Sequence, residues 1–179
     1  MTKNFLILIL IFLPSLLFGK QFKTFSGKVV GVSDGDSIKV MRDGKVAKIR
    51  LHGIDCPESS QAFGKKAKKF TSDYCFGKVV RIESRSTGTD RFGRLIGEVF
   101  TTEKVSLNRA LVKAGLAWWY RKYAANDKVL ETLEKEARTA KRGLWADKLP
   151  IAPWEFRKAP QKRALLVPQS SGIRFIYLS

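Results

Sequence analysis

The chain of 179 residues is 44% hydrophobic and 28% charged, and its 34 Lys and Arg residues outnumber its 16 Asp and Glu residues, which gives a net charge of +18. This excess favours a polyanionic partner, and nucleic acid, acidic polysaccharide and an anionic membrane surface all fit it, because the attraction depends on charge alone. The sequence has one His and two Cys residues, which excludes a zinc site built from several of either. The length fits one domain with a substantial core.

The first residues have the pattern of a secretory signal. Lys3 precedes an uncharged apolar run over residues 5–18 that is too short to cross a bilayer comfortably, and Gly19 suits a cleavage site. We therefore predict an exported protein, periplasmic or secreted, with no stable membrane association after cleavage. Cleavage after Gly19 removes Lys3 and no acid, so the net charge becomes +17. An uncleaved N-terminal anchor is the alternative.

Five runs of apolar and β-branched residues after this segment predict strands. The Asp-Gly pair at residues 43–44 predicts a hairpin turn between the second and third strands. The five predicted strands cover residues 22–32, 37–41, 46–51, 78–84 and 95–100.

Three helices are predicted between and after these strands. From Ala62 the apolar residues recur at spacings of three and four, with lysines on the opposite face, and Gly77 offers a C-terminal cap. Ser106 can cap a short second helix and Asp127 a longer third one. The list predicts an α+β fold that is mainly β, namely a five-stranded antiparallel barrel of the OB architecture with three helices.

The chain is thus predicted to have three parts. Residues 1–19 form the signal peptide, residues 20–157 form the barrel domain, and residues 158–179 form a C-terminal tail. The last apolar run of the tail, "IRFIYLS", fits a strand, a docking segment or a disordered segment, and the sequence does not choose among them.

Acidic residues stand where the predicted strands meet loops. Asp36 lies in the turn "SDGDS" between the first two strands, and Asp55 follows the third strand in "RLHGIDCPE". If these strands pair, the two carboxylates approach each other from two strand ends. Ca²⁺ accepts carboxylates, backbone carbonyls and water, and exported proteins meet more of it than cytosolic ones do. The sequence therefore predicts a Ca²⁺ site.

Three further charged residues fit chemistry on a phosphodiester. Glu58, three residues after Asp55, can orient or deprotonate a water near the metal. Arg50 precedes this loop and Arg94 ends the motif "TDRFGR". Guanidinium groups bind phosphate oxygens through paired donors and can stabilise the charge of a five-coordinate transition state. The set predicts a metal-assisted phosphodiesterase.

Six motifs in order carry a family resemblance: "VSDGDS", "IRLHGIDCPE", "AFGKKAK", "TDRFGR", "LNRALVKAGLAWWYRKYA" and "AKRGLW". Over residues 29–157 the sequence resembles the staphylococcal nuclease (thermonuclease) homologues. The resemblance implies an OB barrel and a Ca²⁺-dependent endonuclease that cuts DNA and RNA with little sequence preference and leaves 3′-phosphate ends. We expect a monomer with DNA and RNA as substrates.

The resemblance also implies roles for individual residues. The backbone carbonyl of Cys56 would join Asp36 and Asp55 in holding Ca²⁺. Tyr123 matches a tyrosine that contacts nucleotides. Arg121 stands where the family archetype has a second tyrosine and is assigned tentatively to the same substrate-binding group. By the same resemblance, Arg50 and Arg94 grip the scissile phosphate, and Glu58 acts on the attacking water.

The two cysteines, Cys56 and Cys75, are an even pair in a chain predicted to be exported, which favours a disulfide between them. Such a bridge would hold the loop of Asp55 against the first helix. Two reduced thiols are the alternative.

Two other functional interpretations remain. A barrel of this family that has lost site residues would bind nucleic acid without cutting it, and a cationic surface protein would share the charge and the signal. All five of the predicted acids and arginines are present, which favours the enzyme; they are Asp36, Arg50, Asp55, Glu58 and Arg94.

Overall fold

The computed structural model describes residues 23–158 and two strands further along the chain, 165–169 and 172–176. The predicted signal peptide, residues 1–19, lies outside the described residues. Within the described ranges, no helix has both the length and the apolar character that a membrane span requires.

Nine strands and five α-helices make up the described chain, and a one-turn 3₁₀ helix covers Gly143–Ala146. The strands are β1 (Thr24–Asp34), β2 (Ser37–Arg42), β3 (Lys45–Leu51), β4 (Ile54–Asp55), β5 (Val79–Thr89), β6 (Leu95–Phe100), β7 (Trp118–Trp119), β8 (Leu165–Gln169) and β9 (Gly172–Ile176). The helices are α1 (Gly64–Cys75), α2 (Leu107–Lys113), α3 (Arg121–Ala124), α4 (Lys128–Thr139) and α5 (Pro153–Phe156).

Five of the strands close into a barrel in the order β1, β2, β3, β6, β5. The predicted five-stranded barrel is therefore confirmed. Its predicted antiparallel pairing is wrong at one place, because β3 and β6 run parallel while the other neighbours run antiparallel. A closed ring with an odd number of strands cannot reverse direction at every step, so at least one neighbouring pair must be parallel.

The three predicted helices are α1, α2 and α4, and two of them have the predicted caps. The hydroxyl oxygen of Ser106 accepts a hydrogen bond from the N–H of Arg109, three residues into α2. The Asp127 carboxylate accepts from the N–H groups of Val129 and Leu130 at 3.1 and 3.0 Å at the start of α4. The one-turn helices α3 and α5 were not predicted, because a single turn is too short to show a helical period.

A close approach at Gly35 fixes the turn between β1 and β2. A Cβ atom on Gly35 would lie 2.8 Å from the Cβ of Cys56 and 2.9 Å from the Cβ of Ala67 on α1. The Thr71 hydroxyl of the same helix donates to the Gly35 carbonyl at 2.5 Å. The turn is thus pressed against α1, and this contact sets the position of the residue that follows it, Asp36.

Two small sheets lie outside the barrel. The short strands β4 and β7 pair antiparallel, with Asp55 opposite Trp118 and Ile54 opposite Trp119. This pairing brings the aromatic segment after α2 to the strand that carries Asp55. In the tail, β8 and β9 form an antiparallel hairpin, so part of the "IRFIYLS" run is a strand.

The contact at Gly35 gives a test of this packing. We expect Gly35→Ala to lower the free energy of unfolding by about 1–3 kcal/mol, because the added methyl group has no space between Cys56 and α1. Gly88→Ala is the control, since a Cβ there meets nothing within 4 Å, and it should change stability by less than about 0.5 kcal/mol. Denaturant titration of both variants measures the difference, and equal stabilities would show that the turn is free to move.

Candidate functional site

Asp36 and Asp55 both contact the guanidinium group of Arg50. The register of β2 and β3 places Ser37 opposite Arg50, so Asp36 lies within reach, and its Oδ2 is 2.5 Å from the Arg50 Nη1. The Arg50 Nη2 donates to Oδ1 of Asp55 at 2.6 Å. The two carboxylate side chains are 8% and 1% exposed. The structure thus brings together the two acids that were predicted to meet from two strand ends.

The backbone of Cys56 lies beside this pair. Its N–H donates to Oδ2 of Asp36 at 2.7 Å, and the Ser37 hydroxyl is 3.3 Å from the other carboxylate oxygen. The loop after β4 is therefore tied to the turn before β2, although 20 residues separate them in sequence.

Burial and like charge make this cluster favourable for a cation. Burial leaves the pKa of Asp55 raised overall, although the hydrogen bond from Arg157 and the charge of Arg50 act to lower it. Burial also raises the pKa of Asp34, and the charges of Asp36 and Glu58 add to the rise. Burial would lower the pKa of Arg50, but the charges of Asp36 and Asp55 leave it raised overall. The carboxylates here gain from any positive charge placed among them.

Arg157 is part of the site, and the sequence analysis assigned it no role. Its Nη2 donates to Oδ2 of Asp55 at 2.7 Å, and its Nη1 donates to Oε1 of Glu58 at 2.6 Å. The only sequence signal is indirect: Trp154 stands three residues earlier, in an aromatic segment that follows the last predicted helix.

Arg94, at the end of the loop before β6, is held by an acid that was not predicted. Its Nε donates to Oδ2 of Asp90 at 2.9 Å, and its Nη1 to the Ser37 hydroxyl at 3.2 Å. Burial raises the pKa of Asp90, but hydrogen bonds from Arg94 and Phe92 lower it overall. Because Ser37 adjoins Asp36, Arg94 is placed on the same side of the barrel as the two carboxylates.

The two residues assigned to substrate binding differ in their surroundings. Arg121 forms an ion pair with the buried carboxylate of Glu134 at 2.9 Å and lies over the ring of Trp119 at 4.2 Å. These contacts give Arg121 a structural role, which the tentative substrate assignment did not include. Tyr123 is 61% exposed, with its ring edge-on to Tyr120 at 5.0 Å.

The predicted bridge between Cys56 and Cys75 is not formed, and both residues are buried free thiols. The Sγ of Cys56 packs at Gly35 beside Ala67, whereas Cys75 lies two turns later in α1, about 12 Å along the helix axis. The Cα atoms of a disulfide are at most about 6.8 Å apart. The Cys75 thiol instead donates to the Thr71 carbonyl at 3.1 Å.

The side chains of the site offer two carboxylates, those of Asp36 and Asp55, to a hard cation. Arg50 already places positive charge between Asp36 and Asp55. Among residues 23–158 and the two tail strands, no group of three or more His, Cys, Asp or Glu side chains is arranged to hold a metal ion. A Ca²⁺ ion bound to the two carboxylates would take its other ligands from backbone oxygen and water, which its flexible coordination tolerates.

Comparison with known proteins decides the family. The model of the staphylococcal nuclease homologues matches residues 48–147. The chain belongs to this family. The match begins within β3 and runs through all the elements that follow as far as the 3₁₀ turn, so it includes Asp55 in β4 and the loop that carries Glu58.

Relatives from bacteria and plants show the same similarity. The chain is 41% identical over 131 residues to an "Uncharacterized endonuclease" of Escherichia coli O157:H7, covering 73% of this chain and 84% of that protein. It is 37% identical over 144 residues to a "Micrococcal nuclease" of Shigella flexneri, covering 75% and 82%. It is 38% identical over 114 residues to the "Staphylococcal-like nuclease CAN1" of Arabidopsis thaliana, covering 64% of this chain and 34% of that protein.

The free thiols give a test of the site region. Burial raises the pKa of the Cys75 thiol to about 11 and that of Cys56 well above its usual value. At pH 8 we expect the native protein to react with Ellman's reagent more than ~100-fold more slowly than free cysteine, because only the thiolate reacts. Unfolding in denaturant without reductant should release two reactive thiols, and Cys75→Ser should release one. No thiol in the unfolded wild type would instead establish the bridge.

Proposed function

We propose that this protein is an exported, Ca²⁺-dependent endonuclease that hydrolyses DNA and RNA with little sequence preference and leaves 3′-phosphate ends. The observation that carries the proposal is the convergence of two buried carboxylates, Asp36 and Asp55, on Arg50. Family membership and the names of the bacterial relatives support nuclease activity.

The carboxylates of Asp36 and Asp55 and the backbone carbonyl of Cys56 would hold the Ca²⁺. The metal would supply Lewis-acid stabilisation of charge on a phosphoryl oxygen. The chemistry of the donor atoms supports this Ca²⁺ site. They are hard oxygens in a buried cluster, where burial raises the pKa of Asp55.

Three side chains then have separate roles in the reaction. Glu58 accepts a proton from the water whose oxygen attacks the phosphorus. Arg50 and Arg94 donate hydrogen bonds to the non-bridging oxygens and stabilise the added negative charge of the transition state. The bond from phosphorus to the 5′ oxygen breaks, and that oxygen leaves as a hydroxyl after taking up a proton from solvent, to which Glu58 returns the proton it accepted. The phosphate stays on the 3′ oxygen.

The surface around the site suits a nucleic acid chain. Helix α1 begins just after the loop that carries Glu58, and it presents four exposed lysines: Lys65, Lys66, Lys68 and Lys69. Together with the net charge of +18, this face would attract phosphates regardless of base sequence. The exposed ring of Tyr123 offers a flat surface for an unpaired base.

Cleavage by purified residues 20–179 tests the activity. We expect Ca²⁺-dependent cutting of single-stranded DNA, duplex DNA and RNA that stops with chelator. The double variant Glu58→Ala, Arg94→Ala should lose at least about 10³-fold in rate, because it removes the proton acceptor and one stabilising donor. Lys128→Ala, Glu131→Ala is the matched control, since it removes one base and one acid that pair on the exposed face of α4 and should leave the rate unchanged.

A different result would change the assignment. If the wild type binds these substrates in a salt-dependent way and cuts none of them with any divalent metal, the protein is a nucleic-acid-binding module. If the double variant cuts as fast as the wild type, the activity belongs to other residues.

Export has its own test. We expect the full chain, expressed in a bacterium with a periplasm, to appear outside the cytoplasm with Lys20 as its first residue. Intact mass spectrometry of the fractionated protein measures the new N-terminus. A protein that starts at Met1 and stays with the membrane fraction would support the uncleaved anchor.

A further inference from the structure

The segment 151–158 lies across the edge of the site and is held there by contacts at both of its ends. At its start, the Gln61 side-chain N–H donates to the Ile151 carbonyl at 2.6 Å. Gln61 lies in the loop between Glu58 and α1. At its other end, Arg157 reaches Asp55 and Glu58. The segment therefore connects the loop of Glu58 to the strand of Asp55.

Trp154 packs this segment against the pair of strands that includes Asp55. Its ring stacks on Tyr120 with centroids 4.9 Å apart and an interplanar angle of 3°. It also meets the ring of Trp118 edge-on at 5.6 Å. Trp118 is the β7 residue paired with Asp55, so the aromatic contacts hold the segment that carries Arg157 beside that carboxylate.

The guanidinium of Arg157 is shared between two acids and is more exposed than that of Arg50. It holds Asp55 through Nη2 and Glu58 through Nη1. Its side chain is 44% exposed, compared with 15% for Arg50. Arg50 is enclosed between its two carboxylates, whereas Arg157 approaches from the solvent side on a segment of one helical turn. Of the two arginines, Arg157 has the room to move.

We propose that Arg157 competes with the divalent cation for Asp55 and so sets the affinity of the site for that cation. This inference rests on the proposed function. A cation that binds Asp55 must displace the Arg157 Nη2 atom from Oδ2 or accept a like charge beside it, and either cost weakens binding. Arg157 acts through Asp55 and Glu58, and is therefore a positioning residue that tunes the response to metal.

A purely structural role would have the opposite effect on cation binding. If Arg157 only braced Asp55 and Glu58, its removal would loosen the ligands and weaken the binding of the cation. If it competes, its removal strengthens that binding. The direction of the change in Kd separates the two roles, and it requires no measurement of cleavage.

The experiment is calorimetric titration of Ca²⁺ alone into residues 20–179, without nucleic acid, at fixed pH and salt. We expect Arg157→Gln to lower the Kd about 2- to 5-fold, the range of one ion pair of a partly exposed arginine. Lys158→Gln is the matched control, because it removes the same charge one residue later, where Lys158 contacts Glu155. It should leave the Kd unchanged.

Two further variants keep the test decisive if Arg157→Gln does not fold, which circular dichroism and the Tm will show. Arg157→Lys keeps the charge but cannot bridge two carboxylates, and it should lower the Kd by less. Trp154→Ala unseats the segment and should lower the Kd as Arg157→Gln does.

Each outcome bears on one proposal or both. If wild type and Arg157→Gln bind Ca²⁺ equally, or the variant binds more weakly, the competition is overturned and the nuclease assignment stands on the cleavage assay. If Arg157→Gln binds Ca²⁺ and the wild type does not, the competition is supported in its strongest form. If no variant binds Ca²⁺ and none cuts, both the metal assignment and the competition fail.

Discussion

The structure around the site depends on neutralising two carboxylates that are almost completely buried. An unpaired charge in such surroundings costs several kcal/mol, on the order of its lost hydration. Asp36 and Asp55 avoid this cost because Arg50 contacts both. The three residues come from a turn, a barrel strand and a short outer strand, so their contact also fixes how these elements meet. Arg157 adds a second positive charge at Asp55 from the solvent side.

The closed barrel explains why the arginines gather on one side. Five strands cannot alternate around a ring, and the parallel pair falls at β3 and β6. Ile49 and Leu95 are opposite each other in this pair, so Arg94, which precedes Leu95, arrives near the end of β3 that carries Arg50. From there its guanidinium reaches Ser37, the neighbour of Asp36. Closure of the barrel thus positions Arg94 beside the residues of the site.

The outer aromatic segment extends the site beyond the barrel. Pairing of β4 with β7 brings Trp118 beside Asp55, and Trp154 packs on Trp118 and Tyr120. The same aromatic packing that buries apolar surface therefore delivers Arg157 to two acids. Stability and function are joined here, because the rings that stabilise the C-terminal segment also decide which charges stand next to the predicted metal ligands.

The sequence by itself determined the local features. It predicted the barrel strands, the hairpin turn at Asp43-Gly44 and the helix caps at Ser106 and Asp127, because periods, turns and caps are encoded within a few residues. The meeting of Asp36 with Asp55 was predicted on the condition that the neighbouring strands pair. Only the tertiary structure decided the parallel pair of β3 with β6, the free thiols, the pairing of Arg121 with Glu134, and the arrival of Arg157. These depend on contacts between distant segments, such as Asp55 and Arg157, which are 102 residues apart. Such contacts follow from the closure of the barrel and the packing of rings, and they leave no periodic pattern in the chain.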